Sequence, residues 1–375
     1  MKYRWLGLAI LAWLLPAVGW AASQSPPSPA WPGVSRSSTS RGATLTRGIN
    51  ITGWFRFPAS RDPAVLAAYF SDQALADIHA AGFDFVRLVV DPAVVESQRA
   101  TLIAAIRRIQ RVGLAVVVSP HPNGWHLETD PADRDRLRAF WRSLAPALRM
   151  LDPKRTVPEV LNEPVFPHDP AGWAALQHQV LASIRQALPN DTVVLTGQDW
   201  GSIGGLLALT PEADPNTLYS FHFYDPAELT SLAAYRPGLD RTALGRLPFP
   251  ADDRPGCDAT ADQSADPATR DLMRYYCALG WDGHRVTDPI DQAAAWGRLH
   301  HVRLLAGEFG ATAALNAPAR LAWLKAVRVG FERRGIGWAL WGYDDVMGLA
   351  VVRPPSRRPV LGRAVLTALG MTTRM

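Results

Sequence analysis

The sequence lacks the features that mark several large classes of protein. Its 375 residues include only two cysteines, and neither stands in a metal-binding or nucleophile-like neighbourhood. Its basic residues are dispersed without a Lys/Arg block, so nothing points to a nucleic-acid partner. No glycine-rich phosphate loop follows the first apolar strand, and no apolar run beyond the N-terminus is long enough to cross a membrane. What remains is a chain that is 48% hydrophobic, enough for a large buried core.

The N-terminus has the pattern of a secretory signal. Lys2 and Arg4 precede the apolar stretch Leu6 to Val18, and Gly19-Trp20-Ala21 places small residues at the two positions that a signal peptidase recognises. We predict a signal peptide over residues 1–21. An uncleaved anchor is the alternative, but the apolar run is short for a span of about 20 residues. Removing the two N-terminal basic residues lowers the formal charge from +5 to +3, a mild bias that establishes no anionic partner. The protein is therefore expected to be secreted or periplasmic.

The remaining chain predicts one folded domain. Residues 22–44 are rich in serine and proline and predict a flexible leader, followed by a single domain over residues 45–375 that we expect to be monomeric. Eight apolar strands alternate with helical patterns: Gly48–Ile51, Phe83–Val90, Leu114–Val118, Val157–Asn162, Thr192–Thr196, Leu218–Tyr224, Val302–Ala306 and Ile336–Trp341. This alternation favours an α/β fold, and eight units favour a (β/α)8 TIM barrel. A doubly wound open sheet is the alternative.

One segment, Pro226 to Gln292, interrupts the alternation. It is long, rich in proline, aspartate and glycine, and contains both cysteines. In an oxidising compartment these are expected to form a disulfide, Cys257–Cys277, although two free thiols remain the alternative. A long loop after the sixth strand lies on the face where barrel active sites form, so we predict a lid or cleft wall fastened by the disulfide.

Polar and aromatic residues stand at the ends of nearly all the predicted strands. Glu163 and Glu308 each follow an apolar strand, where a charge must be paired or face a cleft, so we expect the two to act across one cleft. The other strand-end candidates are Asn50, Trp54, Arg87, His121, Trp125, Asn162, Gln198, Asp199, Trp200, His222, Tyr224 and Trp341. The roles of Asp344 and Asp345 stay open. No His/Asp cluster has metal spacing, so we expect no catalytic metal and no cofactor.

Several of these residues fall in motifs of a known family. Asn162-Glu163-Pro164, His222-x-Tyr224, Gly307-Glu308-Phe309-Gly310 and Trp341, in this order, resemble the strand-end motifs of glycoside hydrolase family 5, the cellulase-like family in the retaining clan A of barrel enzymes. Phe83-x-x-Val86-Arg87-Leu88 and Phe140-Trp141 resemble further motifs of that family. The resemblance covers about Gly48 to Tyr343.

The resemblance implies a role for each site residue. Glu163 would be the acid/base and Glu308 the nucleophile of a double displacement. Arg87 would keep Glu308 ionised, Tyr224 would donate a hydrogen bond to it, and Asn162 would contact the sugar 2-hydroxyl. His121 and His222 would position Glu163 or the sugar, and Trp341 would lie beneath a pyranose ring. Trp54, Trp125 and Trp200 either stack on sugars or pack within the protein.

The expected function is that of a secreted retaining hydrolase of β-linked polysaccharides, most closely an endo-β-glucanase. Two other readings remain. The same fold could process an exopolysaccharide or a mannan by hydrolysis or transglycosylation, or it could be a catalytically silent carbohydrate-binding barrel. The presence of both carboxylates disfavours the last of these.

Overall fold

The computed structural model describes residues 45–352, 354 and 359–371. Its strands are β1 Arg47–Phe55, β2 Phe85–Val90, β3 Ala115–Pro120, β4 Thr156–Pro158, β5 Val193–Thr196, β6 Thr217–Phe223, β7 Arg303–Phe309, β8 Gly337–Leu340, β9 Ala350–Val352 and β10 Val360–Leu361. Its helices are α1 Pro63–Ala68, α2 Asp72–Ala80, α3 Pro92–Arg111, α4 Pro131–Leu148, α5 Pro170–Ala187, α6 Ile203–Leu207, α7 Ala227–Thr230, α8 Arg241–Leu244, α9 Arg254–Asp262, α10 Pro267–Leu279, α11 Gly283–His300, α12 Ala317–Arg333 and α13 Arg363–Ala368. The predicted signal peptide and leader lie outside the described residues.

The first eight strands form one parallel sheet that curls into a barrel. Their order is β4-β3-β2-β1-β8-β7-β6-β5, and a parallel bridge between Glu159 and Val194 joins the two ends just beyond β4. Helices separate successive strands, which confirms the (β/α)8 prediction and excludes the doubly wound open sheet, whose edges stay apart.

Apolar side chains fill the barrel interior below the site. This buried cluster draws on seven of the eight strands and consists of Phe85, Ala115, Val117, Val157, Val194, Leu218, Leu305 and Ala339. Alternate residues of a strand face the same side. Arg87 therefore stands above Phe85, Glu159 above Val157, and His222 two steps above Leu218. The chain thus places its polar groups directly on top of an apolar layer.

A bulge in β7 changes which residue faces the interior. Ala306 pairs with Phe221, but the next pair is Glu308 with His222, so Gly307 is an extra residue in β7. A Cβ on Gly307 would lie 2.4 Å from the Ser220 hydroxyl, which explains the glycine at this close approach. Because of this extra residue, the alternation of inward and outward side chains moves by one position after Gly307. Glu308 therefore faces the cleft.

The fourth strand is shorter than predicted. The sequence indicates a strand from Val157 to Asn162, whereas β4 ends at Pro158, which has no backbone N–H for the ladder. Isolated hydrogen bonds still continue the extended path, since Val160 N donates to Val194 O at 2.9 Å and Asn162 N donates to Pro120 O at 3.1 Å. The chain therefore still reaches the barrel mouth.

The long segment predicted between β6 and β7 is present and contains helices of its own. Five helices, α7 to α11, occupy residues 227–300. The predicted disulfide is present between buried Cys257 on α9 and buried Cys277 on α10, with Cα atoms 5.6 Å apart. It fastens two neighbouring helices to each other. No helix in the described part of the chain is long and apolar enough to cross a membrane.

Candidate active site

The two strand-end glutamates meet at the mouth of the barrel. One carboxylate oxygen of Glu163, one of Glu308 and one ring nitrogen of His222 all lie within 4.8 Å of one another. His222 Nδ1 stands 2.9 Å from Glu163 Oε1 and 3.5 Å from Glu308 Oε2. Two carboxyl groups and an imidazole from three different parts of the chain therefore form one compact titratable cluster.

Glu308 is nearly buried and has a hydrogen-bond donor at each oxygen. Arg87 Nη1 donates to Oε1 at 2.6 Å, and the Tyr224 hydroxyl donates to Oε2 at 2.9 Å. The Glu308 side chain is only 5% exposed, so these donors take the place of water. Both residues lie where the sequence motifs predict contacts to Glu308.

A third carboxylate, Glu159, shares the same arginine and was missed in the sequence. Arg87 donates to it through Nε and Nη2, each at 2.7 Å, and both side chains are completely buried. A signal was present, because Glu159 is two residues past Val157 and shares its interior face. A charge there requires a partner from another strand.

Two asparagines complete the surroundings of Arg87. Its Nη1 donates to Asn50 Oδ1 at 2.9 Å, and its Nη2 donates to Asn162 Oδ1 at 2.8 Å. Asn50 Nδ2 in turn donates to the Gly307 carbonyl at 3.0 Å, at the β7 bulge. The planar guanidinium thus fixes the orientation of Asn162 as well as that of Glu308.

Burial and neighbouring charges set the protonation of the cluster. Burial raises the pKa of Glu308, and the positive charges of His222 and Arg87 offset this only in part. Burial acts on Glu163 as well, but the hydrogen bond and charge of His222 bring the pKa of Glu163 below its ordinary value. Burial of His222 is outweighed by the two glutamates, which raise the pKa of His222. These shifts favour the protonated form of His222 next to the ionised form of Glu163.

His121 and Trp341 form one wall of the cleft. Their rings are stacked with centroids 6.0 Å apart and planes inclined by 23°. His121 is buried, and its Nε2 lies 3.1 Å from the Ser119 hydroxyl. Burial, with the charge of Arg87, holds the pKa of His121 well below its usual range, so the ring is neutral. Trp341 is half-buried.

The three other tryptophans among the site candidates have different surroundings. Trp54 is fully buried, and its Nε1 donates to the Leu66 carbonyl at 2.7 Å, so it packs inside the protein and cannot stack on a sugar. Trp125 is half-buried, and Trp200 is 62% exposed. Both border a cavity of about 390 Å³ that Glu163 also lines.

Alanine substitutions are expected to separate these two kinds of tryptophan. Trp54→Ala should lower the free energy of unfolding by about 3–5 kcal/mol because it leaves a cavity in the core. Trp200→Ala should change it by less than about 0.5 kcal/mol, but should raise KM for a polysaccharide by removing an exposed ring from the cleft. Urea unfolding and steady-state kinetics measure both effects. Equal stability losses in the two variants would contradict the assignment.

The acidic pair whose role stayed open divides into two different environments. Asp344 accepts hydrogen bonds from the backbone N–H groups of Thr52 and Gly53, at 3.1 and 3.0 Å, and from the Tyr69 hydroxyl. It therefore fastens the chain after β8 to β1. Asp345 accepts from Met347 N at 2.8 Å, while its Oδ2 is buried without a partner among the described residues. Burial raises the pKa of Asp345 to about 6.

The titratable cluster also has the spacing of a three-donor cation site, formed by Glu163, His222 and Glu308. Their carboxylate oxygens already accept hydrogen bonds from Arg87, Tyr224 and His222. The buried guanidinium supplies the positive charge that an ion would bring. Internal hydrogen bonds therefore account for the arrangement.

A (β/α)8 barrel with a close pair of carboxyl groups at the C-terminal ends of its strands is the arrangement expected of a class, the barrel-type glycoside hydrolases. Comparison with known families agrees with this class. The family model described as cellulase, glycosyl hydrolase family 5, matches residues 47–345, and the chain belongs to this family. It is therefore a glycoside hydrolase.

Individual relatives are distant. The chain is 22% identical over 331 residues to endoglucanase 3 of Fibrobacter succinogenes, which covers 80% of this chain and 49% of the relative. It thus spans about half the length of that protein. It is also 22% identical over 319 residues to endoglucanase C of Acetivibrio thermocellus, covering 80% of this chain and 91% of the relative. The crystal structure of endoglucanase Cel5A from Thermotoga maritima has the same fold, with a TM-score of 0.69 and 22% identity over 87% of this chain and 97% of that one.

Proposed function

We propose that this protein is an endo-acting β-glucanase that retains anomeric configuration, with Glu308 as nucleophile and Glu163 as acid/base. The observation that carries the proposal is the spacing of the two carboxyl groups, whose nearest oxygens lie within 4.8 Å. Retaining enzymes have a separation of about 5 Å, whereas inverting enzymes need about 6.5–9.5 Å to admit a water molecule.

In the first step Glu308 attacks the anomeric carbon, and the bond to the leaving sugar breaks as Glu163 protonates its oxygen. The acidic proton comes from the His222–Glu163 hydrogen bond, which is 2.9 Å long. In the second step ionised Glu163 takes a proton from water. The water oxygen bonds to the anomeric carbon and Glu308 leaves, so two inversions give net retention.

Neighbouring groups prepare this chemistry before substrate arrives. Arg87 and Tyr224 hold the Glu308 carboxylate at fixed positions, which limits the reorganisation needed on attack. Arg87 donates a hydrogen bond to Asn162 Oδ1. The NH2 group of the same amide is then available to donate to the sugar 2-hydroxyl. Trp341 supplies an apolar face for a pyranose ring, and neutral His121 lines the same wall.

Endo action is supported by the shape of the cleft. Glu163 lines two separate cavities, of about 390 and about 400 Å³, and Trp200 borders both. One extends toward Trp125 and the other toward Tyr224. A glycan is therefore able to continue on both sides of the acid/base residue, as cleavage inside a chain requires.

The pH profile of kcat/KM is expected to be a bell. Activity needs ionised Glu308, so it should fall as pH drops through the raised pKa of Glu308, above the range of an ordinary glutamate. It also needs the proton shared by His222 and Glu163, so it should fall as pH rises through the raised pKa of His222. His222→Gln removes that proton and a positive charge next to Glu308. The active pH range should therefore become narrower. The acidic limb should move to higher pH, and the alkaline limb should move to lower pH by about one to two units.

A matched control exists outside the cleft. His178 Nδ1 lies 3.0 Å from Glu212 Oε2, so His178→Gln also removes a histidine from a His–Glu pair. That substitution should leave both limbs of the bell in place. An unchanged alkaline limb in His222→Gln would contradict the assignment of the acidic proton to the His222–Glu163 pair.

Export is part of the proposal. The signal peptide predicted over residues 1–21 would direct the enzyme out of the cytoplasm, and the Cys257–Cys277 disulfide supports an oxidising compartment. We therefore propose that residues 45–375 act as the catalytic domain in the periplasm or the surrounding medium. Mass spectrometry of the mature N-terminus tests the cleavage near Ala21 or Ala22.

Product analysis tests the function itself. The wild-type enzyme is incubated with β-glucans, mannans and acidic exopolysaccharides, and the products are followed by chromatography and by NMR of the newly formed anomeric centre. A β-glucanase of this type releases oligosaccharides of intermediate length with β configuration at first appearance. Initial α products would exclude retention. Release of products from mannan alone would show that the enzyme is a mannanase and not a β-glucanase.

A further inference from the structure

Arg56, just after β1, is a half-buried arginine that lacks a polar partner among the described residues. It makes no hydrogen bond or ion pair with them, and its Nε is fully buried and unsatisfied. Its guanidinium carbon lies 4.7 Å from the centroid of the Phe57 ring. The side chain borders the cavity that Glu163, Trp125 and Trp200 also line.

Two arginines that are more deeply buried have carboxylate partners. Arg87 is completely buried and makes bidentate contact with Glu159, and Arg185 is buried and bonded to Asp214. The Nε of Arg56 is withdrawn from water without a partner among the described residues, which is unfavourable for a charged group. Burial accordingly lowers the pKa of Arg56, against the opposing influence of Glu308 and Glu163. Neither glutamate comes within ion-pair distance of it.

A second side chain that borders the same cavity has an unsatisfied nitrogen. His121 is buried, and its Nδ1 has no hydrogen-bond partner among the described residues. Arg56 is close enough for its charge to lower the pKa of His121. The remaining carboxylate of the cavity, Glu128, accepts hydrogen bonds through Oε1 from the backbone N–H groups of His168 and Asp169. Two side chains that border the cavity beside Glu163, those of Arg56 and His121, thus each have a buried nitrogen without a partner among the described residues, and Arg56 is permanently charged.

We propose that Arg56 forms an anion subsite and that the glycan cleaved by this enzyme carries a carboxylate on a sugar next to the scissile bond. The inference rests on the proposed hydrolase function and specifies its substrate class. A neutral hydroxyl would satisfy the hydrogen bonds of Arg56 but leave its charge unpaired. A carboxylate satisfies both, because its two oxygens match the guanidinium fork.

Two chemical sources provide such a carboxylate, a uronic acid and an acidic group attached through a hydroxyl. Three soluble cellulose derivatives with the same backbone separate them. Hydroxyethyl cellulose is neutral, C6-oxidised cellulose carries uronic acids, and carboxymethyl cellulose carries ether-linked acids. The measurement is kcat/KM on each polymer for wild type, Arg56→Gln and Arg56→Lys.

The expected result is selective. Arg56→Gln should lower kcat/KM on at least one anionic polymer by about tenfold or more beyond any loss on the neutral polymer, because a charged hydrogen bond is lost. Arg56→Lys should recover part of that difference, and salt should reduce it. The polymer that shows the effect identifies the carboxylate source. Arg107, exposed on the outer face of α3, supplies the control, since Arg107→Gln removes the same charge without selectivity.

Two outcomes overturn the inference. Equal losses on neutral and anionic polymers would make Arg56 a general electrostatic partner of the two glutamates, and a shifted pH profile would accompany them. Equal rates for wild type and Arg56→Gln on every polymer would also remove the subsite.

Failure of the proposed function gives a different pattern, with no hydrolysis of any polymer by wild type. Calorimetric binding of C6-oxidised and unmodified cello-oligosaccharides then decides the subsite separately. Arg56-dependent preference for the oxidised ligand supports it, and the absence of preference rejects it.

Discussion

Replacing Glu308 by alanine is expected to reduce kcat on a β-glucan by on the order of 10⁴-fold or more, because the glycosyl–enzyme bond can no longer form. The same loss should occur on an aryl β-glycoside with a good leaving group. Glu163→Ala should behave differently. Its loss should be large on the polysaccharide, whose leaving oxygen needs a proton, but small for the first step on the activated aryl glycoside.

Azide distinguishes the two glutamates without relying on rates alone. In Glu308→Ala the small anion fits the space of the missing carboxylate, attacks the anomeric carbon once and gives an α-glycosyl azide. In Glu163→Ala the glycosyl enzyme still forms on Glu308, and azide attacks from the other face to give the β product. NMR of the azide products reads the configuration directly. The reverse pattern would exchange the two assignments.

The second large effect is expected at Arg87. Arg87→Met leaves Glu159 and Glu308 buried without their partner, so the free energy of unfolding should fall by about 3–5 kcal/mol. kcat should also fall by on the order of 10²–10³-fold, since Glu308 loses a donor at 2.6 Å. Urea unfolding and kinetics at a temperature where the variant stays folded measure the two losses separately.

Two further variants isolate the causes. Arg185→Met breaks a buried ion pair with Asp214 outside the cleft, so it should destabilise the protein with kcat preserved. Adding Glu159→Gln to Arg87→Met removes the buried carboxylate charge that has lost its partner. The double variant should recover part of the stability but not the activity. Recovery of both would mean that Arg87 acts only through folding.

Much of the site follows from local sequence pattern. Uninterrupted apolar runs predict buried parallel strands, and polar residues at their ends predict a cleft, because buried charge needs a partner or water. Glu163, Glu308, Arg87, His222 and Tyr224 were found in this way. The strand predictions are confirmed within a few residues, apart from the early end of β4 at Pro158.

Other features depend on residues far apart in the chain. Trp54 and Trp200 look alike in the sequence, yet one is fully buried and the other is 62% exposed. The segment after β6 has the composition of a loop, but it contains five helices, two of which are joined by the Cys257–Cys277 disulfide. Local propensity does not include these contacts.

The sequence by itself determined the barrel, the family and the residues at its mouth, because strand periodicity and motif order are local properties. Only the tertiary structure decided how those residues pair. Arg87 joins Glu159 and Glu308 across separate strands, the β7 bulge turns Glu308 inward, and Arg56 has no polar partner in the described part of the chain. Such pairings depend on strand register and on distances between residues tens to hundreds of positions apart. A linear pattern indicates that a buried charge needs a partner, and the folded chain determines which partner it meets.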